Sequence, residues 1–119
     1  MEISNVVRKK GMIETLTELQ EGDRTFSQIM NAVRLSMSNI VARLREAEAY
    51  NLINRVASVN NGRVEVKYTL TEKGETIMKK LMENKEIGKL VNECRNLKKK
   101  AKEIEEQLNE LLSEVNLEL

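Results

Sequence analysis

The stretch that decides the fold runs from Ser36 to Glu75, SMSNIVARLREAEAYNLINRVASVNNGRVEVKYTLTEKGE, because its apolar period changes from that of a helix to that of a strand. In its first part Ile40, Leu44 and Ala47 fall on one helical face. Ser36 stands where an N-cap hydroxyl accepts a free backbone N–H, and the helix is expected to end near Tyr50 and Asn51. Farther on, Val64, Val66, Tyr68 and Leu70 alternate with Glu65, Lys67 and Thr69, and Asn61-Gly62 signals a two-residue hairpin turn. That turn sets Asn60 opposite Arg63, Val59 opposite Val64, Ala57 opposite Val66, Arg55 opposite Tyr68 and Ile53 opposite Leu70. One face of the hairpin is then apolar and is expected to be buried. The other carries Asn54, Ser58, Asn60, Arg63, Glu65, Lys67 and Thr69, a face suited to solvent or a polyanion.

Upstream, Met12, Ile13, Leu16 and Leu19 predict a helix within residues 9–20, closed by Glu21, Gly22 and Asp23. Thr25 and Gln28 form a T-x-x-Q capping box that opens a short second helix bearing Phe26, Ile29 and Val33. About three residues separate it from the helix that Ser36 caps, the spacing of a helix-turn-helix. Downstream, a helix after Thr71 carries Ile77, Met78, Leu81 and Met82, which are expected to pack back on the domain. The fold class is therefore mainly α with a small β-hairpin: a winged helix-turn-helix domain followed by a long C-terminal coiled-coil helix.

That tail is read from Ile87, Leu90, Cys94, Leu97, Ala101, Ile104, Leu108, Leu111 and Val115, spaced alternately by three and four over four heptads. Carried backward, the heptad places Lys80 and Glu83 on the seam, so its phase breaks near Gly88. The chain is accordingly divided into a winged-helix domain over residues 1–84 and a dimerisation helix over residues 85–119. As one helix, residues 87–115 span about 43 Å, and such a one-sided apolar seam needs a partner. A homodimer is the simplest solution. A parallel pair matches Glu93 with Lys98 and Lys100 with Glu105; an antiparallel pair sets the basic block Arg95–Lys102 against the acidic block Glu103–Glu114. The small seam residues Cys94 and Ala101 allow close approach and favour the antiparallel pair.

Composition limits the chemistry. With no histidine and a single cysteine among 119 residues, an intrachain disulfide, the usual metal sites and histidine-based catalysis are ruled out, and neither a cofactor nor an enzymatic activity is expected. No apolar run is long enough for a bilayer and the N-terminus lacks a signal-peptide core, so a cytoplasmic protein without membrane partners is expected. The net charge is only +1, but residues 34–67 hold six basic side chains (Arg34, Arg43, Arg45, Arg55, Arg63, Lys67) against three acids (Glu46, Glu48, Glu65). This local excess lies on the segment that would face a polyanion.

The order of elements, with RTFSQIMNAVRLSMSNIVARLREAEAYNLINRV at residues 24–56 and YTLTEKGE at 68–75, resembles winged-helix transcription regulators of the MarR, PadR and HxlR type, HxlR most closely. Ala47 and Asn51 depart from the family pattern, standing where a Leu and a Gly are usual. The tail is similar to the antiparallel coiled coil of small archaeal winged-helix DNA-binding proteins. The resemblance implies double-stranded DNA as partner. On the wheel of the third helix Ser38, Ala42 and Arg45 oppose the apolar face, with Asn39 beside them. Ser38 and Asn39 suit base edges, Ala42 allows close approach, and Arg43 or Arg45 reaches phosphate or guanine. Thr25 and Ser36 mark free backbone N–H groups for phosphates, and Arg34 and Lys67 add charge. Asn60, Asn61 and Arg63 at the wing tip suit the minor groove or the adjacent backbone. An architectural DNA-binding protein of low specificity and a protein-interaction adaptor are the alternatives; nothing in the sequence marks a small-molecule effector site.

Overall fold

The computed structural model describes residues 2–118. Helix α1 (Ile3–Val7) is followed by α2 (Met12–Gln20), β1 (Arg24–Thr25), α3 (Phe26–Ala32) and α4 (Met37–Ala49). Then come β2 (Ile53–Asn60), β3 (Arg63–Leu70), α5 (Glu72–Glu83) and α6 (Lys85–Glu114). The strands form one antiparallel sheet in the order β1-β3-β2.

The helix expected within residues 9–20 is shorter than that window, and a separate turn of helix precedes it. Gly11 divides the two: its φ of 85° is left-handed, and a Cβ there would collide with the Leu35 side chain. Val6 and Val7 of α1 are buried beside Met12, Leu16 and Leu19 of α2. Ile29 from α3 and Val33 just after it, Ile40, Leu44 and Ala47 from α4, Leu52 and Ile53 at the start of the sheet, and Met78 of α5 complete the core. Ile77, Leu81 and Met82 pack against it as their spacing predicts.

The hairpin adopts the register set by its turn, with all eight pairs from Ile53–Leu70 to Asn60–Arg63 in place. Asn61 and Gly62 take φ values of 52° and 76°, as a type I′ turn requires. Burial differs from expectation, for the apolar side is covered only at its base. Val59 and Val64 are 75% and 72% exposed, because eight-residue strands of about 26 Å reach beyond the helical layer. Arg55, opposite Tyr68, emerges at the edge and pairs with Glu48 of α4 at 3.5 Å. The third strand, β1, pairs Arg24 with Tyr68 and Thr25 with Lys67.

A clasp joins the end of the wing to the end of α4. Thr71 caps α5 by accepting from the Gly74 N–H at 3.0 Å, while its own hydroxyl donates to the Asn51 carbonyl. The Thr71 N–H donates to the Leu52 carbonyl at 3.0 Å, and Lys73 Nζ donates to the Tyr50 carbonyl at 3.1 Å. Gly74 lies so close to the Leu52 carbonyl that no Cβ fits between them. Residues 71–74 thus fix the direction in which the chain leaves α4.

Candidate nucleic-acid interface

Helix α4 is held on three sides and open on the fourth. Its core face carries Ile40, Leu44 and Ala47, and the flank with Glu48 meets the wing through Arg55. The other flank meets the loop between α1 and α2. There Glu46 Oε1 accepts from Lys9 Nζ and from Arg43, both at 3.0 Å, and Arg43 also donates to the Lys10 carbonyl at 3.2 Å. Burial raises the Glu46 pKa, but hydrogen bonds from Lys9 and Arg43 and their positive charges outweigh it and hold the carboxyl below its ordinary range.

The open side starts at the helix N-terminus. Ser36 Oγ accepts from the Asn39 N–H at 3.3 Å and lies 3.2 Å from Ser38 Oγ. Ser36, Ser38, Asn39 and Arg45 are exposed, and Ala42 between them is half-buried. Among the described residues Arg45 has no ion pair. Arg43, by contrast, is turned onto the flank with only 14% of its side chain exposed, so its guanidinium is already engaged. Thr25 caps α3 in a reciprocal box with Gln28, at 3.2 Å from its hydroxyl and 2.9 Å to its backbone N–H.

The remaining candidates are more dispersed. Arg34, in the turn between α3 and α4, is paired at 2.6 Å with Glu105 on α6. Asn60, Asn61 and Arg63 lie together and exposed at the wing tip, whereas Lys67 is half-buried in β3 beside Thr25 of β1. Sequence reasoning passed over two features. Met37, the first residue of α4, is 61% exposed among the polar groups of that turn. Arg8 and Lys10 are exposed on the loop that holds Arg43, and the RKK run at 8–10 was their visible signal.

This arrangement of a capped, solvent-facing α4 beside a protruding hairpin is met again in known proteins. The HxlR-like helix-turn-helix pattern matches residues 6–97, most of the chain. The chain belongs to the HxlR-like helix-turn-helix family. An uncharacterized HTH-type transcriptional regulator of Methanocaldococcus jannaschii is 36% identical over 89 residues, covering 71% of this chain and 76% of that one. The reduced form of the transcriptional regulator YodB from Bacillus subtilis is similar at a TM-score of 0.63 and 26% identity, over 67% of this chain and 78% of that one. A MarR-family structure from Enterococcus faecalis shares the fold at a TM-score of 0.65 and 24% identity, over 77% and 84% of the two chains.

The HxlR-like chain is thus a winged-helix protein of a transcription-regulator family. Ala47 and Asn51 each have a local structural explanation. Ala47 is fully buried, where a larger side chain would have to displace its core neighbours. Asn51 takes the left-handed conformation after α4, φ 59°, which asparagine tolerates better than most residues other than glycine. The HxlR-like pattern ends within α6, at residue 97. From that residue onward the tail carries an apolar stripe in which Leu97, Ile104, Leu108 and Leu111 are more than half exposed on the single chain. Among the described residues, no helix is long and apolar enough to cross a membrane.

Proposed function

We propose that this protein is a sequence-specific, dimeric DNA-binding regulator that acts in the cytoplasm by occupying an operator, and that its work is binding rather than catalysis. The observation that carries the reading is the open side of α4: a serine-capped N-terminus with Ser38, Asn39 and an unpaired Arg45 facing outward while both flanks are braced. Such a helix enters the major groove with its N-terminal half. Ser38 and Asn39 meet base edges, Ala42 allows close approach, and Arg45 reaches guanine or phosphate. Uncapped backbone N–H groups in the first turns of the helices that begin after Ser36 and Thr25, with Arg34, meet phosphates on either side of the groove. The wing tip, Asn60, Asn61 and Arg63, lies along the neighbouring backbone or minor groove, and Lys67 adds to the field behind it. Arg43 serves a different end, bracing α4 against the loop that carries Arg8 and Lys10.

Two recognition helices about 34 Å apart read an inverted repeat, which calls for a dimer. The tail supplies it, with the domain over residues 1–84 and the dimerisation helix starting at residue 85, just after the Asn84 cap between α5 and α6. An antiparallel pair is favoured by charge. Arg95, Lys98, Lys99, Lys100 and Lys102 form a block without acids, and beyond Lys102 there are six glutamates and no basic residue. Gel shifts on genomic fragments with excess competitor DNA, at graded salt, test the reading. A discrete shift that survives competitor and weakens in Arg45→Ala is expected. A steeply salt-dependent smear indicates architectural binding, and no shift indicates a protein-interaction module.

A further inference from the structure

An apolar groove of about 290 Å³ opens between the DNA-binding domain and the first half of α6. It is lined by Ile13 and Thr17 of α2, Val33 after α3, and Leu90, Val91 and Cys94 of α6. Arg95 and Lys98 stand at its edge together with Glu14 and Glu18. Leu90 and Cys94 also belong to the heptad stripe, so the groove and the dimerisation seam are one continuous apolar surface.

We infer that this groove is the seat of the C-terminal end of the second copy's α6, so that each tail braces the other subunit's DNA-binding domain. The inference rests on the antiparallel dimer proposed above and adds to it a contact that a tail-only coiled coil lacks. Two arguments single out this occupant. One is register: antiparallel packing with Cys94 level with the partner's Leu111 also sets Leu97 against the partner's Leu108 and Ala101 against the partner's Ile104. It brings Leu90 to the partner's Val115 and Val91 to the partner's Leu112, delivering three apolar side chains to the groove. The other is charge. In this register Lys98 flanks the partner's Glu105 on one side and Glu93 meets the partner's Glu114 on the other, whereas a shift of one heptad loses the favourable pair and sets Lys98 against the partner's Lys98 and Lys100 against the partner's Lys100. The groove's edge is balanced in charge, Arg95 and Lys98 against Glu14 and Glu18, so the apolar match selects the occupant and the pairing of Lys98 with the partner's Glu105 sets its register.

Ile13 is the side chain on which groove and tail make different predictions, since it is only half-buried and lies outside the core cluster. Sedimentation equilibrium on the full chain compares Ile13→Glu, Leu112→Glu and Leu108→Glu. All three are expected to raise the dimer dissociation constant by about tenfold or more, because each buries a carboxylate beside apolar groups or glutamates. If Leu108→Glu dissociates the dimer while Ile13→Glu leaves it intact, the tail dimer stands and the groove assignment is overturned. If none of the three changes the dimer, the tail reading fails as well. A second measurement covers the case in which Ile13→Glu does not fold. In a Cys94→Ser chain carrying Ile13→Cys and Leu112→Cys, a short bis-maleimide is expected to join the subunits. A dimer that stays unjoined overturns the inference.

Discussion

Replacing Glu46 by glutamine keeps the shape of the brace beside α4 and removes its charge. Glu46 Oε1 accepts from both Lys9 and Arg43 at 3.0 Å, and the three side chains are 14–33% exposed, between a surface pair and a buried one. Charge-assisted hydrogen bonds contribute about 1.5–3 kcal/mol when buried, and exposed ion pairs well under 1 kcal/mol. A combined loss of about 1–2 kcal/mol follows for Glu46→Gln at neutral pH. For a domain of this size that lowers Tm by roughly 5–15 °C. The pH dependence is the sharper test. Because the folded carboxyl titrates below its ordinary value of 4.5, its contribution is complete above that value and is lost as pH falls through the folded pKa. Thermal melts by circular dichroism from pH 7 to pH 3 should show the wild-type advantage at neutral pH and its disappearance in acid. An advantage that is absent at pH 7, or that persists unchanged in acid, refutes the role given to Glu46.

Three further substitutions probe other parts of the structure. Gly74→Ala drives a methyl group into the Leu52 carbonyl and should cost about 2–4 kcal/mol in chemical denaturation, since the obstacle is backbone. Thr17→Val removes a buried hydroxyl that has no hydrogen-bond partner among the described residues, and should raise Tm, by about 1 kcal/mol of stability. Glu105→Gln releases Arg34 from its 2.6 Å pair on α6; DNA affinity should rise a few-fold at low salt and its salt dependence should steepen by about one phosphate contact.

The hairpin was legible in the sequence because Asn61-Gly62 dictates a turn, and a turn dictates every pair behind it. The helix starts at Phe26 and Met37 were legible for a similar reason, since Thr25 with Gln28 and Ser36 are local hydrogen-bonding devices. What escaped depends on distant residues. Strand β1 is two residues long and exists only because Tyr68 and Lys67 lie alongside it. Helix α1 has five residues and is held by burial of Val6 and Val7 rather than by any periodic pattern. The valines of the wing alternate like those of a core strand, yet Val59 and Val64 lie beyond the helices that could cover them. In the candidate interface the helix wheel correctly turned Ser38, Asn39 and Arg45 outward. It had no means of showing that Arg43 would be captured by Glu46 and the Lys10 carbonyl, or Arg34 by Glu105 seventy-one residues away.

In the proposed assembly a tail-linked pair of winged helices reads DNA through two copies of α4. Selection of binding sites from random duplex DNA by the full-length protein tests it most directly. Enrichment of an inverted repeat whose half-site centres lie about 10–10.5 base pairs apart is expected, with enrichment lost in Arg45→Ala and in a Leu108→Glu chain that no longer dimerises. Recovery of single, unpaired half-sites, or of no enriched sequence at physiological salt, would contradict it.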